Sequence, residues 1–451
     1  MDKIALIPAL VSIYLLYKGW GSEKIFLYFF LPVLLLIPTY YESKLVPGLP
    51  EVAFWSMALL PVFIYWMMKE KKPEISFHII DFLVVAHLLV VLYSQYEATG
   101  YKDAQKIFYK DTVQRLLPYV MIRFLAVKET FRVEFVRVLM IISIILGVFM
   151  LIEAKWFTNF TDLWVRKIWP QSVPWDGVMQ RGGIKRAAAT FGHPISAGYF
   201  FSMMVPFAVW YHKNYGKKGK WFTKLAIAFT VLATLASFSR APMMGLGISA
   251  LVLWFGWNKF KSVLAVFLAV VTSAVLIVAV PEFIEYVSVT RSTALTKDQE
   301  NAAYRKEMLD NYLEVIQAKP YWGYGRYTFP VIERQVSIDN EYLFLALTEG
   351  LFALSLYVGL LIWVILKLIH SIAICDEAET NYQLYWVLLA AWISAIFTQA
   401  TVYAGNQTVQ VFYMIAGLSV TLSQVMAQQL NGITINDKLE KKYEYHFRST
   451  V

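Results

Sequence analysis

The sequence predicts an all-α integral membrane protein, and three observations support this fold class. Hydrophobic residues make up 58 % of the 451 positions and charged residues 16 %, whereas soluble domains are about 45–50 % apolar and about 25 % charged. Apolar runs close to the roughly 20 residues that a spanning helix needs recur along the whole chain. No segment alternates apolar and polar residues as a transmembrane β-barrel would. We therefore expect helices embedded in a lipid bilayer.

The apolar runs predict about twelve to thirteen membrane-spanning helices, of which the first two are short. The first run lacks a basic start and a cleavage site, so we expect it to remain as a span. The sequence divides into transmembrane helices with a basic loop at 154–193, a large polar loop, C-terminal transmembrane helices and a tail, at 1–281, 282–340, 341–428 and 429–451. The runs are centred on 4–19, 25–41, 52–68, 76–94, 113–127, 134–153, 194–211, 222–238, 241–257, 262–281, 342–368, 383–401 and 407–427.

The distribution of lysine predicts the orientation of the chain in the membrane. Short loops rich in lysine are typical of the cytoplasmic side. By this rule the tail is cytoplasmic and the loops at 154–193 and 282–340 face outward. The net charge of +9 is spread over loops between spans, which argues against a nucleic-acid partner. The basic residues that set this orientation are Lys69, Lys71, Lys72, Lys213, Lys217, Lys218, Lys220, Lys224, Lys259, Lys261, Lys438, Lys441, Lys442 and Arg448.

The two outer loops are themselves basic, which has two interpretations. Long loops escape the charge rule, so the bias can be without function. Alternatively the loops form an outward site for a phosphate-bearing ligand, because the planar guanidinium of arginine suits phosphate. Loop 154–193 carries Lys155, Arg166, Lys167, Arg181, Lys185 and Arg186, and loop 282–340 carries Arg291, Arg305, Lys306, Arg326 and Arg334.

Loop 282–340 is predicted to contain a surface helix. Thr296 and Gln299 have the spacing of a helix-starting capping box, and Pro320 is expected to end the helix. An apolar stripe at helical spacing should pack this helix on the spans. The glycines of the following turn, Gly323 and Gly325, would allow a close backbone approach to a ligand. The stripe comprises Met308, Leu309, Tyr312, Leu313 and Ile316.

Charged residues next to predicted spans are the candidates for chemistry. Arg240 lies in a turn between two spans, where an arginine is costly unless it is paired or functional; snorkelling to headgroups is the alternative. Asp339 and Glu341 flank Asn340 at a helix start, so a carboxylate there can act as a base or simply cap the helix. His87 lies within a span and is expected to be a packed core residue.

Several motifs are absent. The sequence has no glycine-rich phosphate loop with a lysine, no Asp-X-Asp and no histidine pair at metal spacing, and its single cysteine is Cys375. We therefore expect neither a metal nor a cofactor.

The order of motifs along this chain resembles the order found in the superfamily of O-antigen ligases and Wzy-type polysaccharide polymerases. The resemblance covers roughly residues 80–425 and lies in the order of its motifs, since each alone is common. The motifs are Arg186 with Thr190-Phe191-Gly192-His193-Pro194, then Ser239-Arg240, then Arg305, Pro320 and Gly323-X-Gly325, and last Asn340-Glu341-Tyr342-Leu343 with Glu349-Gly350.

The resemblance implies a GT-C-like glycosyltransferase in the bacterial cytoplasmic (inner) membrane, with its site facing outward. The donor would be an oligosaccharide on undecaprenyl pyrophosphate, and a chain-length regulator is a further implied partner. Asp339 and Glu341 would serve as base, with Arg240 catalytic on the pyrophosphate. Ligases typically carry a histidine immediately before the asparagine; Asp339 stands there, which favours a polymerase. Substrate binding would fall to Arg186, Arg305, Arg326, Asn340 and Tyr342.

Two other functions stay open from the sequence. A ligase would move a finished glycan onto another acceptor. A transporter of lipid-linked glycans belongs to a different class, and such proteins often contain inverted repeats and broken helices. No internal repeat is evident here, and polar residues concentrate in one outer loop, which argues for an enzyme.

Overall fold

Helices form almost all of the regular structure. The computed structural model describes residues 2–38, 42–43, 51–168, 180–181, 183–217, 219–258, 291, 293, 296–333, 335, 337–377, 380–405 and 407–430. The first helices are α1 Ile7–Tyr17, α2 Ser22–Ile25, α3 Leu31–Leu36, α4 Ser56–Lys69, α5 Ile79–Thr99, α6 Tyr101–Asp111, α7 Leu117–Leu125 and α8 Glu129–Trp156. They are followed by α9 Phe160–Ile168, α10 Pro194–Tyr215, α11 Lys220–Ala236, α12 Arg240–Trp257, α13 Lys297–Ala318, α14 Glu341–Ile374, α15 Thr380–Gln399 and α16 Gln407–Leu430.

Shorter elements complete the described part of the chain. A 3-10 helix covers Asp2–Leu6 and another Ala189–Phe191, and π-helical turns at Phe26–Phe30 and Thr112–Leu116 join α2 to α3 and α6 to α7. Two antiparallel strand pairs each have two residues per strand: β1 Glu42–Ser43 with β2 Val52–Ala53, and β3 Gln180–Arg181 with β4 Ile184–Lys185.

The architecture is that of an all-α membrane protein, as predicted. Among the described residues, four helices are long and apolar enough to span a bilayer: α5, α8, α14 and the Gln407–Gln429 part of α16. Ile4–Tyr17 and Ser56–Lys69 are shorter apolar helices. The total of twelve to thirteen spans stays a prediction, and the apolar run 262–281 and the boundary at 281 lie outside the described residues.

Helix α16 is the centre of the bundle. In its most apolar window 94 % of the residues are buried, against 33 % for α14. It packs through aromatic contacts, such as Phe412 stacked on Trp392 with ring centroids 4.2 Å apart. Helix α16 is therefore enclosed by other helices.

One end of the bundle, which we call the lysine end, brings together the end of α10, the end of α12 and the start of α15. Lys213, near the end of α10, lies 4.2 Å from the ring centroid of Trp257 at the end of α12. Asn214 donates to Gln383 of α15 over 3.2 Å. Further along this end, Arg123 pairs with Asp81 at 2.9 Å and donates to Gln424 of α16 at 2.8 Å. The predicted orientation stays a prediction, and Lys218, Lys259, Lys261, Lys438, Lys441, Lys442 and Arg448 lie outside the described residues.

The opposite end, which we call the site end, carries the candidate residues. It includes the chain before α10, the turn between α11 and α12, and the start of α14. The loop between α15 and α16 also lies here, because the Ala404 amide donates to Glu341 over 2.8 Å. Gln407, which starts α16, donates to the carbonyl of Thr190 over 3.0 Å. The candidate site and the lysine end therefore lie at opposite ends of the helix bundle.

Helix α14 is broken at Gly350, where φ is 84°. The turn after α13 fills the break: Tyr324 and Gly325 donate to the carbonyls of Leu347 and Thr348, over 3.0 and 2.7 Å. A Cβ atom on Gly350 would lie 2.1 Å from the carbonyl oxygen of Tyr321, so no side chain fits. The predicted close approach at this glycine turn is thus real, but the partner in the structure is a helix backbone.

Helix α13 has the predicted start and end. The hydroxyl of Thr296 accepts from the amide of Gln299 over 3.1 Å, and the helix ends at Ala318, before Pro320. The apolar stripe is narrower than predicted. Its buried members, Met308, Tyr312 and Ile316, pack with Ile338, Leu343 and Leu347 at the start of α14, while Leu309 and Leu313 are exposed. The packing fixes α13 beside the beginning of α14.

Candidate functional site

Arg186 is held against the turn between α11 and α12. Its Nη2 donates to the hydroxyl of Ser239 over 2.9 Å, and the following residue, Ala187, donates its amide to Ala236 over 3.0 Å. Ser239 is directly followed by Arg240, which is exposed at the start of α12. The structure therefore brings two of the predicted arginines into neighbouring positions at the site end.

Asp339 and Asn340 have separate local roles. The side chain of Asn340 caps α14 by accepting from the amide of Leu343 over 3.0 Å, so capping, the structural alternative, applies to Asn340. The carboxylate of Asp339 instead accepts from the hydroxyl of Ser337 over 2.6 Å. Tyr304 of α13 donates to the Ser337 carbonyl over 2.8 Å. Contacts from α13 thus support the loop that presents Asp339.

His193 connects the two groups electrostatically. Its Nδ1 accepts from the amide of Ile195 over 3.2 Å, so the neutral ring carries its hydrogen on Nε2. Burial and the charge of Arg186 lower the pKa of His193 to about 4, while the charge of Asp339 opposes this shift. Both charges act on one imidazole, which makes His193 a further candidate for the site. His193 belongs to the motif Thr190-Phe191-Gly192-His193-Pro194, but the sequence alone predicted no role for its side chain.

The low pKa of His193 predicts an acid-sensitive fold. Since the unfolded pKa is near 6.5 and the folded one is about 4, the unfolded chain binds more protons between these values. The stabilisation is complete above about pH 6.5 and is lost as the pH falls toward 4, by on the order of 3 kcal/mol at most. In His193→Asn the capping acceptor persists without titrating. We expect its thermal midpoint to fall less steeply over this pH range; equal slopes in both proteins would contradict the assignment.

Glu341 and Tyr342 point into the bundle. Glu341 is 4 % exposed, and its Oε2 accepts from the amide of Ala404. It lines a cavity of about 10 Å³ together with Arg115 and Gln399, which is near the least that holds one water. Tyr342 donates to the carbonyl of Ile396 over 3.0 Å. Both side chains are hydrogen-bonded inside the bundle, whereas the Asp339 carboxylate lies in the loop before α14. Asp339 is therefore the stronger candidate base.

Arg326 is placed in a buried charge network instead of an open phosphate site. It donates to Asp111 over 2.8 and 2.9 Å, and Nε donates to Glu349 over 2.6 Å. Arg115 adds an ion pair to Asp111 at 3.4 Å, and His87 lies 3.5 Å from Glu349. Because the guanidinium nitrogens of Arg326 already meet carboxylates, this residue ties the turn after α13 to α6 and α14.

The sequence did not single out Asp111, Arg115 or Glu349 as a charge network. The sequence did contain a signal for this network, because ionisable groups beside or within apolar segments are rare unless they are paired or functional. His87 is 1 % exposed, as expected of a core residue.

Arg305 is exposed on α13, one residue from Tyr304. Within the described ranges, no three histidine, cysteine or carboxylate side chains lie together as a metal site.

Fold and site together define a helical membrane protein that collects arginines, a histidine and a carboxylate at one end of its bundle. Residues 225–358 match the Wzy_C family, described as O-antigen ligase. The match runs from α11 to the first half of α14 and includes Arg240, Arg305 and Asp339, whereas Arg186 lies before it. It supports the resemblance to the O-antigen ligase superfamily, whose members are enzymes acting on lipid-linked glycans. No curated protein matches the chain.

Proposed function

We propose that this protein is a glycosyltransferase that polymerises oligosaccharide units linked to undecaprenyl pyrophosphate, at the outer face of the bacterial cytoplasmic membrane. The observation that supports the proposal is the hydrogen bond from Arg186 to Ser239, the residue that directly precedes Arg240. The same end presents His193 and Asp339. An anionic leaving group and a hydroxyl acceptor need this combination of fixed cations and a carboxylate.

The arginines would act on the leaving group. When the bond from the anomeric carbon to the pyrophosphate oxygen breaks, negative charge grows on that oxygen. Fixed cations that are already in place stabilise such charge without reorganisation, and the fork of arginine donors matches phosphate geometry. We assign this role to Arg186 and Arg240, with Arg305 as a further contact from α13.

The carboxylate would act on the acceptor. The hydroxyl oxygen of a second lipid-linked unit forms the new bond to the anomeric carbon, and its proton passes to Asp339 or to the departing pyrophosphate. Orientation of the hydroxyl and removal of its proton both speed this step. The products are one lengthened lipid-linked glycan and free undecaprenyl pyrophosphate, so atoms and charge balance without a further reactant.

The choice of polymerase over ligase rests on Asp339. The ligases that this chain resembles typically carry a histidine at this position, whereas this chain has an aspartate. A ligase that moves a finished glycan to another acceptor is the second candidate, supported by the family match itself. The broken helix α14 is a feature that transporters also have, but here a turn of the same chain fills the break.

Purified protein in lipid nanodiscs distinguishes these candidates. Supplied only with single repeat units on undecaprenyl pyrophosphate, a polymerase makes a ladder of longer lipid-linked chains and releases undecaprenyl pyrophosphate. A ligase leaves these units unchanged until a different acceptor is added. Absence of transfer to any acceptor, together with movement of the units across a vesicle membrane, would contradict the glycosyltransferase proposal.

Asp339→Asn should separate base chemistry from local structure. The substitution retains an acceptor for Ser337 and leaves the Asn340 cap intact, so the protein should unfold at the wild-type temperature. We expect turnover to fall about 10²- to 10⁴-fold, the range for loss of a general base. The measurement is chain growth per folded protein. Wild-type turnover in Asp339→Asn would remove Asp339 from the reaction.

A further inference from the structure

A buried carboxylate lies beneath the segment that carries Arg186. Glu153, in the last turns of α8, is 4 % exposed. Its Oε2 accepts two consecutive backbone amides, from Ala188 over 3.0 Å and from Ala189 over 2.8 Å. The ammonium of Lys185 lies 3.6 Å from Oε1. A buried charge is costly unless it is hydrogen-bonded and paired, and both conditions are met here.

The backbone of this segment adopts a conformation that fits the carboxylate. Ala189 has φ of 47°, the left-handed region that costs a residue with a Cβ about 1–2 kcal/mol. The neighbouring Ala188, with φ of −126° and ψ of −21°, lets both amides point toward one carboxylate oxygen, as in the concave amide nests that bind anions. The contacts of the segment, above all the carboxylate, must supply this cost. Tertiary contacts therefore stabilise this conformation, and the two hydrogen bonds to Glu153 are among them.

The downstream half of the segment is fixed by other helices. Asn159 donates to the Ala189 carbonyl over 2.8 Å, and the hydroxyl of Thr190 donates to the Leu35 carbonyl over 2.6 Å. Upstream, Arg186 extends from the segment toward Ser239. The nest around Glu153 thus lies between the fixed residues and Arg186, next to the backbone hydrogen bond from Ala187 to Ala236.

We propose that Glu153 is a positioning residue: it holds the backbone that presents the Arg186 guanidinium to Ser239 and to the diphosphate of the donor. This inference rests on the proposed function for its catalytic consequence. Glu153 does not touch substrate in this account, because it is buried beneath the backbone. Its effect on the reaction passes through Arg186.

Glu153→Gln tests the charge at nearly constant volume. The glutamine carbonyl can still accept the two amides, but its NH2 group then faces the Lys185 ammonium. We expect increased hydrogen exchange at the amides of residues 186–189 and a kcat lowered about 10²-fold, the scale of a misplacement near 1 Å. KM for the lipid-linked donor should change less than kcat, because the arginine acts mainly on the transition state.

A double-mutant cycle tests the pathway. If Glu153 acts through Arg186, the Glu153→Gln/Arg186→Ala protein should turn over no more slowly than Arg186→Ala alone. Asp81→Asn is the matched control, since it removes a paired carboxylate at the lysine end; it should leave exchange at residues 186–189 and kcat per folded protein unchanged. Multiplied losses in the double variant, or unchanged exchange and kcat in Glu153→Gln, would overturn the proposal.

Hydrogen exchange separates this inference from the proposed function. A wild-type protein that transfers no glycan, with exchange at 186–189 still raised by Glu153→Gln, would refute the function and retain the structural role of Glu153. Active wild-type protein with no response to Glu153→Gln would refute the inference and retain the function.

Discussion

Arg186→Ala is expected to lower glycan transfer about 10²- to 10³-fold in kcat, with the protein still folded in the membrane. Loss of one group that stabilises developing negative charge has this scale in other enzymes. The side chain donates to Ser239 over 2.9 Å at a half-buried position, and we expect the helices around it to keep their fold when it is removed. Arg186→Lys should recover only part of the rate, because an ammonium lacks the planar fork. The measurement is initial rate of undecaprenyl pyrophosphate release.

Arg166→Ala is the matched control for this variant. Arg166 belongs to the same basic loop but pairs with Asp162 within α9, at 2.6 Å. It should retain the wild-type rate. If Arg166→Ala were as impaired as Arg186→Ala, general loop charge would explain both losses. A normal rate in Arg186→Ala would remove this residue from the site.

Arg326→Met is expected to destabilise the protein by about 3–5 kcal/mol, the usual cost of removing one partner from a buried ion pair. Asp111 and Glu349 are each 1 % exposed at the side chain, so the substitution leaves buried carboxylates facing one fewer guanidinium. The turn that fills the break in α14 should loosen as well. The measurement is the free energy of unfolding by denaturant in mixed micelles.

Two further variants make this prediction specific. Arg326→Met/Glu349→Gln should be more stable than the sum of its single changes, because the second substitution removes an uncompensated charge. Lys306→Ala on the exposed face of α13 should leave stability unchanged. An Arg326→Lys protein with wild-type stability but a strongly raised KM for the donor would contradict the structural role of Arg326. It would support the predicted contact with phosphate instead.

Local sequence signals predicted local structure well. Thr296 and Pro320 mark the start and end of α13, and Asn340 caps α14. These features depend on backbone groups within a few residues, which a sequence displays directly.

Long-range pairing could not be predicted in the same way. Asp111 and Arg326 are 215 positions apart, and no local pattern shows which arginine will meet which carboxylate. The break at Gly350 likewise depends on a turn from another segment. Glu153 resembled an ordinary charged residue at a helix end; only its contacts with Ala188 and Ala189 reveal its place under Arg186.

Lipid-linked glycans extracted from a host lacking this gene would show whether the protein polymerises them. We expect single repeat units on undecaprenyl pyrophosphate to accumulate at the outer face of the membrane, and the wild-type gene, but not Arg186→Ala, to restore long chains. Retention of the repeat units at the cytoplasmic face would indicate a transport defect and would contradict a glycosyl-transfer site at the outward end of the helix bundle.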